Sequence, residues 1–146
     1  MSTRRLVKTF CDLVSTGSET GHERAFCLEL EKALTEAGFE VERDEEAGKK
    51  CGSDGFNIYG YLPREGGSIL LSCHTDTVTP GAAVTPVERD GFIYSDGTTV
   101  LGSDDKSGIA EIIEAVTRLK ESGEKNRAVE VLFTLSEETG MLGSRF

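Results

Sequence analysis

Tryptophan is missing from this chain, prolines number three, and aromatic residues supply only 7% of its 146 positions. The core is therefore built from aliphatic side chains, and with 37% hydrophobic residues grouped in periodic segments the composition is that of a globular protein. Positive charge is also scarce. Sixteen basic against 26 acidic residues leave a net charge of −10, which repels phosphate backbones and anionic lipid and argues against nucleic acid and membrane surfaces as partners. No apolar run approaches the roughly 20 residues needed to span a bilayer. Cys11, Cys27, Cys51 and Cys73 are irregularly spaced without a C-x-x-C pair, so neither a thiolate zinc site nor a disulfide framework is indicated. Together with the absence of a secretory leader after Arg4-Arg5, these read as reduced thiols in a soluble, cytoplasmic protein.

What is present is α/β patterning. Leu6, Phe10, Leu13 and Val14, then Phe26, Leu30, Ala33, Leu34 and Ala37, recur at helical spacing, and Gly38 stands where the second helix should stop. Phe39 to Glu42 alternates as a strand, and the acidic stretch Glu40 to Glu46 reads as solvated surface. Phe56–Leu62 and Ser68–Cys73 flank Pro63-Arg64-Glu65-Gly66-Gly67 and predict a hairpin whose second arm carries His74. A second hairpin is expected from Gly91–Ser95 and Thr98–Leu101 around Asp96-Gly97. Ile109, Ile112, Ile113, Val116 and Leu119 define a helix ending near Gly123, and Ala128–Leu135 is the nearly continuous apolar strand of a buried sheet. Residues 1–146 thus read as one α/β domain, a three-layer sandwich with a central mixed sheet flanked by helices. The last strand has no helix after it, so the domain is expected to be incomplete at its C-terminal side.

Three acidic segments close apolar runs: His74-Thr75-Asp76, Asp104-Asp105 and Glu137-Glu138. On neighbouring strands they would bring one imidazole and several carboxylates to one sheet edge, the donor set of a hard or borderline dication. His74 and Asp76, two apart, project to the same side of an extended backbone, so His74 can bind metal while Asp76 holds its other ring nitrogen. Asp104 and Asp105 fall at a strand-to-helix junction; Asp105 is assigned to capping, Asp104 is left free for metal, and Lys106 is taken as surface. Adjacent carboxylates at Glu137 and Glu138 repel in a low-dielectric setting unless a cation compensates, so one is read as a ligand and the other as a general base. His22 lacks the second histidine of a helical zinc motif, and there is no phosphate loop, G-x-S-x-G elbow or calcium loop.

The segments His74-Thr75-Asp76-Thr77-Val78, Ser95 to Gly108 with Asp-Gly-Thr-Thr-Val-Leu-Gly inside it, and Ser136-Glu137-Glu138-Thr139-Gly140 resemble, in order and spacing, the signatures of the co-catalytic zinc exopeptidases related to peptidase T, carboxypeptidase G2 and aminoacylase. The resemblance favours the peptidase T branch. It implies that His74 binds one Zn2+, Asp104 bridges two, Glu138 binds the other, Asp76 orients His74, and Glu137 is the general base. It also implies a short peptide substrate cleaved by aminopeptidase action, with carboxypeptidase or N-acyl amino acid deacylase activity, or a non-catalytic relic of the fold, as alternatives. Family members carry a further carboxylate ligand, a final histidine ligand and a lid or dimerisation domain, the last associated with a homodimer. Residues 1–146 are accordingly expected to be the N-terminal part of a catalytic domain, with weak or absent zinc and no activity on their own.

Overall fold

The computed structural model describes residues 3–146. Helices α1 (Thr3–Ser15) and α2 (Arg24–Ala37) lead into strand β1 (Glu40–Asp44), a short helix α3 (Glu45–Cys51), β2 (Asn57–Leu62) and β3 (Ser68–His74). A separate pair, β4 (Pro86–Arg89) and β5 (Phe92–Ser95), precedes the long helix α4 (Ser103–Ser122), β6 (Ala128–Thr134) and a terminal 3-10 turn at Gly143–Arg145. None of these helices is long and apolar enough to cross a membrane among the described residues.

The apolar stripes do what their spacing requires. Phe26, Leu30 and Leu34 are one helical turn apart and fully buried, as are Ile109 and Val116 on α4, while Phe10, Leu13 and Val14 carry α1 into the same core. Each such side chain removed from water contributes about 1.5–3 kcal/mol. Gly38 ends α2 in the left-handed conformation (φ 96°), where its N–H returns to the carbonyls of Leu34 and Thr35; a Cβ would be strained there.

The main sheet is mixed, in the order β1-β2-β6-β3, with β6 antiparallel to β2 and parallel to β3. The β6 residues Val129, Val131 and Phe133 stand beside Ile58, Gly60 and Leu62 of β2 and form the helix-facing floor of the core. Glu130 and Leu132 on the opposite face are half-buried, so only one face of this apolar strand is fully covered. The expected α/β class and mixed sheet flanked by helices are present. The β2–β3 hairpin is not: β6 inserts between the two strands, and they never pair. The second hairpin also lies elsewhere. Its turn is Asp90-Gly91, both with positive φ (54° and 81°), joining β4 to β5, the signature of a two-residue type I′ turn. Thr98–Leu101 is a loop instead, folded by the Asp96 carboxylate on Thr98 and tied to Pro80 through Val100 N–H at 2.8 Å. Glu40, Glu42, Glu45 and Glu46 are exposed, as expected of a solvated stretch, and helix α3 begins within it; the Asp44 carboxylate caps that helix by accepting from the N–H groups of Glu46 and Ala47.

Candidate metal centre

β3 and β6 run in parallel and end side by side, His74 opposite Thr134, so everything that follows both strands leaves from the same edge. Thr75 N–H continues the ladder to Thr134 O at 2.9 Å, and Asp76 lies just beyond, fully buried. The end of β6 is turned by Ser136 with φ 53°, which brings the next two residues back over Asp76. Glu137 N–H donates to Asp76 Oδ1 at 2.8 Å, Glu138 N–H to Oδ2 at 3.1 Å, and the Thr20 hydroxyl to Oδ2 at 2.7 Å. The third component arrives from the start of α4, where Asp104 and Asp105, joined by a cis peptide, have non-helical dihedrals.

His74 Nε2 lies 3.0 Å from Asp104 Oδ1. Its Nδ1 lies 3.0 Å from the Asp76 carbonyl oxygen and 3.3 Å from Asp76 Oδ1, so Nδ1 carries a proton and donates to Asp76 while Nε2 faces the carboxylate of Asp104. One ligand atom from each of His74, Asp104 and Glu138 lies within 4.8 Å of the other two. The three residues from three separate segments therefore converge, and Asp76 sits beneath them. Asp76 contacts His74 as the spacing predicted, but through its main-chain carbonyl as well as its side chain, and its carboxylate is mainly occupied with the backbone of Glu137 and Glu138.

The electrostatics follow from this packing. Burial disfavours an imidazolium at His74, but hydrogen bonds to Asp76 and Asp104 outweigh it, and its pKa is pushed up to about 9. Burial likewise opposes charge on Asp76, yet the donors from His74, Thr20, Glu137 and Glu138 hold its carboxyl below the usual range. Glu138 is displaced upward by desolvation, with Asp104, Asp76 and Glu137 adding to the shift and His74 alone opposing it. A nitrogen donor among carboxylates, with one carboxylate made uncomfortable by its acidic neighbours, is a donor set a divalent ion would complete and neutralise. A cleft of about 190 Å³ opens beside it, lined by Val78, Val100, Leu101, Asp104 and Glu138 among others. Two larger grooves, of about 480 Å³ lined by Asp12, Glu29, Glu36 and Lys120 and of about 890 Å³ lined by Lys8, Cys11 and Glu88, share none of the site's residues.

Two expectations at the α4 junction are corrected. Gly102 stands at the N-cap with no side-chain capping hydrogen bond, and the Asp105 carboxylate is instead directed at the buried Cys73 thiol, whose pKa desolvation and this hydrogen bond push up to about 12. Lys106 is 1% exposed rather than on the surface. Its ammonium donates to Thr16 O at 2.6 Å and lies 4.3 Å from the Phe26 ring centroid, and burial, against the attraction of Glu29, pushes its pKa down to about 8. Thr20, Glu19 and Glu23 in the α1–α2 loop also hold the site's loops, donating to Asp76, accepting from Gly81 N–H and accepting from Ser136, and no sequence motif marks them.

The ends of β3 and β6 and the start of α4 thus bring His74, Glu138 and Asp104 together at one edge of a mixed α/β sheet, a group that could hold a metal ion. Residues 70–146 match the sequence profile of "Peptidase family M20/M25/M40", and the chain belongs to that family. Among solved structures, the aminopeptidase PepT from Bacillus cereus ATCC 10987 superposes with a TM-score of 0.93 at 39% identity, covering 97% of this chain and 39% of that one. A tripeptidase from Staphylococcus aureus gives 0.92 at 35% identity, again over 97% and 39%. The uncharacterized protein YqjE of Bacillus subtilis is 35% identical over 145 residues, 97% of this chain and 38% of that protein. The chain thus spans less than two-fifths of the length of these relatives.

Proposed function

We propose that this chain is the N-terminal part of the catalytic domain of a peptidase T-like metallo-aminopeptidase acting on short peptides in the cytoplasm, and that it supplies the core of a two-zinc site. The observation that carries the reading is the convergence of ligand atoms from His74, Asp104 and Glu138 within 4.8 Å. In this reading His74 would hold one ion, Glu138 the other, and Asp104 would serve both. Such ions, when bound, would polarise the scissile carbonyl and lower the pKa of the attacking water.

The remaining chemistry falls to the chain itself. Asp76 keeps the proton on His74 Nδ1, which leaves Nε2 as the coordinating nitrogen. By accepting from the N–H groups of Glu137 and Glu138 it also fixes where the two glutamates leave the backbone. Glu137, half-buried and outside the ligand group, is the residue to take the proton from water and pass it to the leaving amine. Val78, Val100 and Leu101 wall the adjacent cleft and would keep water from the reacting bond.

Two ions sharing three side chains have fewer than the three protein ligands a catalytic zinc usually holds, so residues 1–146 alone bind zinc weakly and do not turn over a tripeptide. The test is equilibrium dialysis against Zn2+ followed by elemental analysis. Glu137→Ala should retain the wild-type metal content, and Asp104→Ala and Glu138→Ala should lose it. Loss in Glu137→Ala, or full retention in Glu138→Ala, overturns the ligand assignment. Reproducible tripeptide hydrolysis by the purified chain, abolished in Glu137→Ala, overturns the claim that it is inactive alone.

A further inference from the structure

Glu23 is a glutamate with no exposed surface, placed just before α2 and outside the 70–146 segment that the family profile matches. The polar contacts of its side chain reach three separate pieces of loop. Its Oε1 accepts from Ser136 N–H at 3.2 Å and from the Ser136 hydroxyl at 3.3 Å. Its Oε2 accepts from Gly21 N–H at 2.9 Å and from the Ser53 hydroxyl. Three segments distant in sequence, 18–23, 52–55 and 134–138, thus meet on one buried carboxylate. A carboxylate buried this deeply is disfavoured as an anion; desolvation pushes its pKa up, and only the convergent donors oppose that.

The position of Ser136 explains why such a costly group is kept. Ser136 is a non-glycine residue at φ 53°, and it is the hinge that swings Glu137 and Glu138 back toward His74. A residue in that region persists only when its surroundings hold it. Two anchors do so: Asp76 takes the N–H groups of Glu137 and Glu138, and Glu23 takes both donors of Ser136. Thr20, next to Gly21 in the chain, links the anchors by donating to Asp76 at 2.7 Å.

We propose that Glu23 is a positioning residue of the metal centre: it pins Ser136 in its left-handed turn and so sets the direction in which Glu137 and Glu138 face His74 and Asp104. This rests on the metal reading above for its consequence, and on the hydrogen-bond geometry alone for the positioning itself. Glutamine cannot replace it. Its amide presents one acceptor and one donor group, so either Ser136 N–H or Gly21 N–H would meet an N–H instead of an oxygen.

The experiment uses the whole chain, compares wild type with Glu23→Gln and Ser53→Ala, and follows two readouts: Co2+ affinity from its visible absorption, and metal-free amide resonances and hydrogen exchange of Glu137 and Glu138. Ser53→Ala removes one donor from the far oxygen of the same carboxylate and so serves as the stability control. Glu23→Gln is expected to move the Glu137 and Glu138 amides, which bond to Asp76 and not to Glu23, and to weaken Co2+ binding about 10-fold or more, the scale of groups that orient ligands. Ser53→Ala is expected to lower the melting temperature with those amides in place and Co2+ affinity within about threefold of wild type, well inside that scale. Unmoved amides with unchanged Co2+ affinity in folded Glu23→Gln overturn the proposal, as does an equal loss in Ser53→Ala. Should Glu23→Gln fail to fold, Ser136→Ala, which deletes only the hydroxyl donor, decides the matter by the same amide shifts: movement supports the role and stationary amides refute it. If wild type takes up no Co2+, as its short ligand set allows, the metal-free amides alone decide: unmoved Glu137 and Glu138 amides in Glu23→Gln overturn the proposal and moved ones support it.

Discussion

In the metal-free chain, His74 should act as a proton-linked stabiliser whose contribution disappears in mildly alkaline solution. Its pKa rises from 6.5 to about 9 on folding because, against the penalty of burial, its two ring nitrogens face Asp76 and Asp104. At about 1.4 kcal/mol per pH unit, that displacement corresponds to a ceiling of roughly 3 kcal/mol. The Asp104 side chain is 84% exposed, so its share is screened by water and the expected contribution is on the order of 1–2 kcal/mol, mostly from the buried Asp76. The sign follows from the direction. A folded-state pKa above the unfolded value means the native state binds the extra proton, so the stabilisation is complete below about pH 6.5 and lost as pH rises through about 9. Urea unfolding in EDTA, wild type against His74→Gln, isolates this term because the cysteines and Lys106 titrate alike in both. The stability gap should shrink by about 1–2 kcal/mol between pH 6 and 9.5. A gap that stays constant or widens over that range would refute the charge assignment at His74. The same proton must leave when Nε2 takes up metal, so calorimetry at pH 7 in buffers of different ionisation heat should show close to one proton released for the ion bound at His74.

Other expectations follow from the same packing. Asp76→Asn keeps the shape but faces the N–H groups of Glu137 and Glu138 with an amide; it should cost about 3–5 kcal/mol in denaturant unfolding and lower zinc affinity roughly 10–100-fold. Lys106→Met should stay within about 1.5 kcal/mol of wild type because it preserves volume over Phe26, whereas Lys106→Ala should lose about 2–4 kcal/mol by leaving a cavity beside Thr16 O. Because the Lys106 pKa is lowered to about 8, the stability of wild type relative to Lys106→Met should climb as pH rises from about 8 toward 10.5; a falling difference would contradict the burial of its charge. Gly108→Ala would place a methyl 2.5 Å from Asp105 Oδ1 and 2.9 Å from Cys73 Sγ, and a melting curve should register about 1–3 kcal/mol of overpacking.

The elements with strong local signals are legible in the sequence alone. α1, α2 and α4 announce themselves by apolar residues at helical spacing, and Gly38 and Gly123 end two of them in the left-handed conformation. His74, Asp104 and the Glu137-Glu138 pair are legible because each follows an apolar run, whereas the choice between the two glutamates comes only from the family resemblance. What escaped is non-local. Nothing in residues 56–74 states that β6 will separate β2 from β3, since two strands joined by a short Gly-rich connection look like a hairpin whether or not a third intervenes. Two Asp-Gly pairs suit a tight turn equally well, and only the partner strand Pro86–Arg89, weakened on paper by its proline, decides for Asp90-Gly91. Lys106 reads as surface because its partners, Thr16 O and the Phe26 ring, come from the far end of the chain. Glu23 sits in a polar turn and carries no periodicity to betray that it is buried.

The insertion of β6 also governs the order in which this structure can assemble. β2 can pair at once with β1, but β3 finds its sheet partner only in a strand about sixty positions later, as between Ser72 and Leu132. Closing loops of that length before any pairing is rewarded makes formation of this sheet slow compared with the helices on either side. During synthesis on the ribosome, β3 must therefore wait with Ile69 and Leu70 unpaired until residues 128–134 emerge. His74, Asp104 and Glu138 can come together only after that strand has docked, so no metal can be captured by a nascent chain in which the sheet is still open.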